Sequence, residues 1–348
     1  MTAVQPSTMP AESNVLELLA RSRDLVEPQL REAVARLDDH TRLVASYHLG
    51  WCDEEGRPAS GRSGKAIRPG LVLLVAEAVC GSPGPGIPGG VAVELVHNFS
   101  LIHDDLMDRD AQRRHRRTVW AIWGDATAVL VGDALACLAD EVLAECEAPP
   151  ARRAGRALAV ATRELIRGQV LDVAFERRDD VGLAECLDMA GGKTGALLGA
   201  SAQLGAILGG ADEATSDAFR TYGWELGLAF QLVDDLLGVW GAPERTGKPV
   251  FSDLRAHKKT LPVVWSLEYG GAAGRELAGW FADPAAPTED SLRHAAVLME
   301  RAGGREWASA EADERVRKAG KALDAAGVAP ANRDQLDQLA QFVAERQL

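Results

Sequence analysis

Residues 91 to 117 read VAVELVHNFSLIHDDLMDRDAQRRHRR. As far as Leu106 the apolar side chains recur at three- and four-residue spacing, the period of a helix with one buried face. The run closes on Asp104, Asp105 and Asp108. An i, i+4 spacing puts Asp104 and Asp108 on one face, about one turn apart. Like charges stacked this way repel by a few tenths of a kcal/mol even on an exposed helix, so the space between them suits a cation. Carboxylates with no His or Cys partner favour a hard ion. Mg²⁺, which takes one or two carboxylates and shares substrate phosphates, fits best.

The same period extends outward in both directions. It begins at Asn14, in VLELLARSRDLVEPQLREAVARL, and returns over 69–79, 90–106, 119–146, 152–175, 183–208, 214–239 and 261–280. Alternating β-branched segments, the signature of strands, are scarce. The interruptions at 80–90, 147–150, 241–253 and 282–287 are short. Breaks of that size join helices within one bundle better than they separate domains. The pattern predicts one all-α domain over 14–348, preceded by a flexible polar tail at 1–13.

Composition narrows the function classes. In 348 residues, 38 Lys and Arg stand against 51 Asp and Glu, a net charge of -13 that disfavours a general nucleic-acid binder. At 47% hydrophobic residues the chain can bury a sizeable core. No apolar run approaches the roughly 18 to 20 residues of a membrane span. The N-terminus lacks the basic start and apolar stretch of a secretion signal, so a cytoplasmic location is expected. Five scattered cysteines without a CxxC pair read as reduced thiols. Gly84 to Gly89 fits GxGxxG, but its prolines remove the N–H donors a pyrophosphate needs. Gly64-Lys65 and Gly192-Lys193-Thr194 end like phosphate-binding loops, yet the required earlier glycine is Ala59 in one and Leu187 in the other.

A second acidic pair strengthens the metal reading. Asp234 and Asp235 again follow an apolar helical stretch, in FQLVDDLLG at 230–238. Basic residues come close behind both pairs: Arg113 and Arg114 after the first, Lys248 and Lys258 after the second. Acids and cations in such proximity are what a site needs to hold metals and the phosphates they bridge. In GKAIRP at 64–69, Pro69 suits the first position of a helix, so Lys65 and Arg68 would flank an anion-attracting N-terminus.

In order, GKAIRP, ELVHNFSLIHDDLMD with its RR, GQVLD, GGKTG, FQLVDD and TGKPVFSDLRAHKKTLP resemble the motifs of the trans-isoprenyl diphosphate synthases, the polyprenyl synthetase family. The match spans about 60 to 265 and is most like geranylgeranyl diphosphate synthases of actinobacteria. The resemblance implies an isoprenoid-synthase-type bundle around a central active-site cavity. It implies condensation of isopentenyl diphosphate with an allylic diphosphate, giving a short trans-prenyl diphosphate of C20. Alternatives are a C15 farnesyl diphosphate synthase, a class I terpene cyclase and a catalytically weak paralogue. Lys65, Arg68, His97 and Arg114 would bind the isopentenyl diphosphate. Asp104 and Asp108, supported by Asp105, would hold two Mg²⁺, and Asp234 a third with help from Asp235; Mn²⁺ could substitute. Arg113, Lys193, Thr194, Gln231, Lys248 and Lys258 would cradle the allylic diphosphate, with Gln169 and Asp172 lining the site. Phe99 and Ser100 occupy the chain-length positions, and a homodimer is implied.

Three positions depart from the family pattern. Gly238 stands where the second motif has its third aspartate, His115 where a glycine follows the arginine pair, and Ala66 where GKRxRP has its first arginine. The first predicts weakened binding of the third metal.

Overall fold

The computed structural model describes residues 11–59, 64–146, 150–242, 250–283 and 285–344. The architecture is all-α. The helices are α1 (Ala11–Val34), α2 (Asp39–His48), α3 (Ile67–Cys80), α4 (Ile87–Met107), α5 (Val119–Trp123), α6 (Asp125–Ala144), α7 (Pro150–Phe175), α8 (Leu183–Ala190), α9 (Ala196–Leu208) and α10 (Glu213–Trp240). After them come α11 (Ser252–Arg255), α12 (Leu261–Tyr269), α13 (Gly271–Phe281), α14 (Glu289–Ala302), α15 (Gly304–Ala326) and α16 (Pro330–Ala344).

The helix α9, ALLGASAQLGAIL, is apolar or small on every side and is buried along nearly its whole length. Such a helix belongs inside a bundle, and α3, α4, α7 and α10 surround it. The core then divides by neighbour. Leu95, Phe99 and Ile102 of α4 join Leu135 of α6 and Leu197 of α9 in one cluster, whereas Phe219 and Tyr222 of α10 join Leu336 and Leu339 of α16 in another. Side-chain caps fix some of the starts. Asp38 accepts from His40 N and Thr41 N at α2, and Asp212 accepts from Thr215 N at α10.

Several predicted boundaries move. The run 119–146 breaks at Gly124, whose φ of 84° no helix interior allows, and 261–280 breaks at Gly270 and Gly271. The run 183–208 is continuous but passes through a π-helical turn, Gly191–Gly195. Helix α3 starts at Ile67, so Pro69 is its third residue rather than its first. It is still within the first turn, where a missing N–H costs no intrahelical bond. The helix α1 begins at Ala11, inside the stretch read as a tail; residues 1–10 lie outside the described residues.

The polar link after α4 holds the strands among the described residues, a minimal hairpin of β1 (Gln112–Arg113) and β2 (Arg116–Arg117). Its two turn residues, Arg114 and His115, have φ of 51° and 62°. Two-residue hairpin loops of the type I′ class need positive φ at both positions, which is why a glycine suits position 115. The hairpin is tied to the end of α2. Arg116 donates to the carbonyls of Tyr47 and Cys52, each at 2.8 Å, and the Tyr47 hydroxyl donates to Arg117 O at 2.8 Å.

Candidate active site

The π turn positions the centre of the site. Extra backbone at a π bulge re-aims side chains and recurs at functional sites. Here Lys193 Nζ lies 2.6 Å from Asp172 Oδ2 of α7 and 3.2 Å from Asp104 Oδ1 of α4. The close approach of α7 to the turn depends on two glycines. A Cβ at Gly168 would lie 2.8 Å from Lys193 Cα, and one at Gly192 would lie 2.8 Å from the Glu164 carbonyl oxygen. Burial works to lower the Lys193 ammonium, but Asp104 and Asp172 outweigh it and hold it above the ordinary lysine value. One turn on from Asp104, Asp108 Oδ2 is 3.2 Å from Lys258 Nζ. Burial opposes that charge too, and Asp108 again prevails, raising the lysine.

The next residue of the turn reaches the second acidic pair. Thr194 Oγ1 donates to Gln231 Oε1 at 2.6 Å, and Gln231 Nε2 donates to Asp235 Oδ1 at 2.7 Å. Asp235 Oδ2 accepts from Leu261 N at 2.9 Å. Both oxygens of this buried carboxylate are therefore committed inside the protein, whereas Asp234 faces outward. Burial pushes the Asp235 carboxyl up to about 8, with Asp253 and Asp234 adding to the rise. Asp105 divides from Asp104 in the same way. It is 2% exposed and accepts from Arg113 Nε at 2.6 Å. Its burial nonetheless outweighs that pairing and raises the carboxyl to about 6.

A second basic cluster lies about two turns back along α4, around His97. Arg68 Nη1 sits 3.3 Å from His97 Nε2. The guanidinium of Arg114 presses on the 64–66 loop, where a Cβ at Gly64 would fall 2.8 Å from its Nη2. Burial, and then Arg68 and Arg114, hold the His97 imidazole well below its usual value. Lys65 extends from the same loop with Nζ 4.9 Å from the ring centroid of Phe342. His48 at the end of α2 is a member that motif reading passes over. Burial, then Arg113 and Arg114, push it down to about 3, while a hydrogen bond to Asn98 favours its charged form. A His at a helix C-terminus carries no signal of its own; the hairpin brings it to the arginines.

Among the remaining positions, Gln169 is buried and its Nε2 has no hydrogen-bond partner, an orphan donor beside the turn. Phe99 is 7% exposed and meets His103 edge-on at 5.3 Å between ring centroids. Ser100 donates to the His97 carbonyl at 2.7 Å. Lys248 lies outside the described residues.

The donor set can be tested against a divalent ion. Among the described residues no three His, Cys, Asp or Glu side chains converge on one point. An ion here would take one or two carboxylates and complete its shell with water and ligand oxygens. That is how Mg²⁺ is held beside phosphates, and an all-protein calcium cage is not. The residues fit.

Comparisons with known proteins agree with this geometry. A family model described as polyprenyl synthetase matches residues 51–298. A (2E,6E)-farnesyl diphosphate synthase of Mycobacterium tuberculosis is 54% identical over 99% of this chain and 96% of its own. A geranylgeranyl diphosphate synthase of the same organism is 43% identical over 95% and 93%. The solved polyprenyl synthetase of Streptomyces coelicolor A3(2) superposes with a TM-score of 0.91 at 52% identity, covering 94% of this chain and 99% of that one. A polyprenyl synthase from Caulobacter crescentus CB15, solved with calcium and isoprenyl diphosphate, superposes at 0.82 with 29% identity, covering 96% and 98%. With its helical fold and its two acidic motifs joined through one π turn, this chain belongs to the polyprenyl synthetase family and is a short-chain trans-prenyl diphosphate synthase, a prenyltransferase.

Proposed function

We propose that the chain joins isopentenyl diphosphate head-to-tail to an allylic diphosphate, with Mg²⁺, and releases a C20 product. The observation that carries this reading is the pairing of two separate diphosphate-grade surroundings. Asp104, Asp108, Asp172, Lys193 and Lys258 line one, with Asp234 exposed beside the buried Asp235; Arg68, His97 and Arg114 gather at the other. A cyclase, which ionises one prenyl diphosphate and adds nothing to it, has no use for the second.

In the reaction, the C1–O bond of the allylic substrate breaks to a carbocation and a diphosphate. Asp104, Asp108 and Asp234 would hold the divalent ions that the resemblance implies, and these would supply positive charge to the leaving group. Lys193, Lys258 and Arg113 add fixed positive charge there, the electrostatic contribution that dominates many catalytic sites. Thr194 and Gln231 orient the same group, a role that the resemblance also gives Lys248. Lys65, Arg68, His97 and Arg114 hold isopentenyl diphosphate so that its double bond faces C1. The new carbon–carbon bond forms, and a proton leaves to the departed diphosphate.

The C20 limit rests on α4. Ser100 lies one turn below Asp104 on the same face, is small and partly open, and so leaves room for a growing chain. Phe99 is packed into the core beside it, and by family resemblance an aromatic at this fifth position before the first aspartate goes with a C20 limit. A C15 limit is favoured instead by the 54% identical relative named a farnesyl diphosphate synthase. Calcium and isoprenyl diphosphate in the Caulobacter crescentus relative support the metal and ligand classes. No helix among the described residues is long and apolar enough to cross a membrane, which fits work in the cytoplasm. Helices α6 and α7 leave Val129, Leu130, Val160, Ile166 and Val170 exposed, an apolar surface suited to a second copy of the chain.

Mass spectrometry of products from dimethylallyl and isopentenyl diphosphates, with and without Mg²⁺, tests the reading. A C20 diphosphate formed only with the ion is expected. A C15 end point corrects the length, a cyclic hydrocarbon replaces the reaction, and no product with Mg²⁺ overturns the proposal.

A further inference from the structure

The second acidic motif ends in Gly238, and the structure shows what fills the space of the missing side chain. A Cβ at 238 would lie 2.9 Å from Asp253 Oδ1, and closer still to Oδ2 and Cγ of the same residue. We propose that Asp253 supplies, from a different element, the carboxylate that this motif lacks, acting as a positioning residue for the divalent ion held by Asp234. The proposal rests on the metal-dependent reading above and adds a residue to it.

Geometry supports it in three ways. Position 238 is one turn after Asp234 on the same face of α10, so a carboxylate in the side-chain space of 238 belongs to the face that Asp234 presents. The Asp253 segment is fastened to that helix by Ser252 Oγ, which donates to the Gly238 carbonyl at 3.2 Å, and is closed on itself by Lys258 N, which donates to the Asp253 carbonyl at 2.9 Å. The chain also enters this segment in a costly conformation. Phe251, just before α11, has a φ of 62°, which a bulky residue adopts at a cost of about 1–2 kcal/mol. Strain of that kind persists where the surroundings over-determine it, and here it delivers the Asp253 carboxylate to the space at Gly238. The glycine is accordingly a requirement of the arrangement, because any side chain at 238 would collide with Asp253. On this basis the third-metal binding expected to weaken with the loss of the motif's last acid is maintained from outside the motif.

The test uses Mn²⁺ with inorganic diphosphate as the probe and counts free Mn²⁺ by electron paramagnetic resonance, a readout independent of turnover. Asp253→Asn, which preserves shape, should weaken the loosest Mn²⁺ by about tenfold or more, the scale of effect for groups that orient a metal's surroundings. The exchange variant Gly238→Asp with Asp253→Gly has the same composition and moves the carboxylate back into the motif; it should recover most of that affinity. Thermal unfolding verifies that each variant is folded, and if the exchange variant is not, Asp253→Asn decides alone. Wild-type affinity in Asp253→Asn, or a folded exchange variant no tighter than Asp253→Asn, overturns the proposal. Loss of Mn²⁺ in Asp234→Ala together with no change in Asp253→Asn overturns it alone. No Mn²⁺ uptake by the unaltered protein removes the metal reading beneath it as well.

Discussion

Asp104 and Asp105 are adjacent in sequence and opposite in duty. Asp104 faces Lys193 across the site, whereas Asp105 is buried against Arg113. Replacing Asp104 with Ala removes one of the carboxylates proposed to hold the metal and leaves Lys193 to Asp172. Turnover in saturating Mg²⁺ should fall about a thousandfold or more, since several kcal/mol of charge stabilisation are lost. Far-UV circular dichroism should be unchanged, because Asp104 is not part of the core. Activity within tenfold of the unaltered protein would remove Asp104 from the metal set. The motif was legible as DDLMD at 104–108, but the division of labour inside it was not. That depends on Arg113, which donates to Asp105 from the first strand of a hairpin whose turn holds two non-glycine residues at positive φ. No local propensity favours such a turn in RRHR, so the hairpin went unread.

At the scale of elements, helical period carried most of the fold, because each long helix has one continuous apolar face. It could not show the π turn, where GGKTG offers only glycines and polar residues and the added backbone rotates everything after it. The breaks at Gly124 and Gly270 were hidden similarly, by apolar residues continuing on both sides of them. Gly168 is where the packing of α7 on the π turn is least forgiving. Gly168→Ala should lower stability by about 1–3 kcal/mol, as overpacking does, and displace Lys193 from Asp104. Thermal unfolding and turnover should both fall in this variant, whereas Gly155→Ala on the same helix, with nothing near its Cβ, should leave both intact. Equal behaviour of the two variants would show that the close crossing does not position the site.

For the whole molecule, the exposed apolar residues on α6 and α7 lead to an assembly prediction. Leu130→Asp with Val170→Asp should convert a dimer to monomers by light scattering after size exclusion; an unchanged mass would place the interface elsewhere. The histidines beside the arginines give a pH dependence. In the folded chain His48 titrates near 3 and His97 well below 6.5, so both stay neutral where the unfolded chain takes up protons. Their contribution is complete above about pH 6.5 and is lost as pH falls towards the folded values, by up to about 1.4 kcal/mol per pH unit for each ring. Asp105 runs the other way. Its raised carboxyl favours the folded chain at low pH, and that contribution fades as pH rises through about 6. Urea unfolding at pH 7 and 5.5 separates them: His48→Gln should lose less stability on acidification than the unaltered protein. Equal losses would show His48 to be protonated in the folded state.

The bonds from Lys193 to Asp104 and Asp172, and from Lys258 to Asp108, have a consequence for the order of events. Asp104, Asp108 and Asp172 are paired with the chain's own lysines, which act as resident counterions. An ion arriving alone must evict them into unpaired positions, and a diphosphate arriving alone must face the aspartates. Arriving together, each gives the other's displaced partner somewhere to go. On the metal-dependent reading proposed above, metal and diphosphate should therefore bind with positive coupling, which by linkage is the same from either side. Titration of Mn²⁺ should be weak without inorganic diphosphate and tighten on its addition. A net charge of -13 works in the same direction, since a diphosphate approaching with its charge partly neutralised by a cation meets less repulsion.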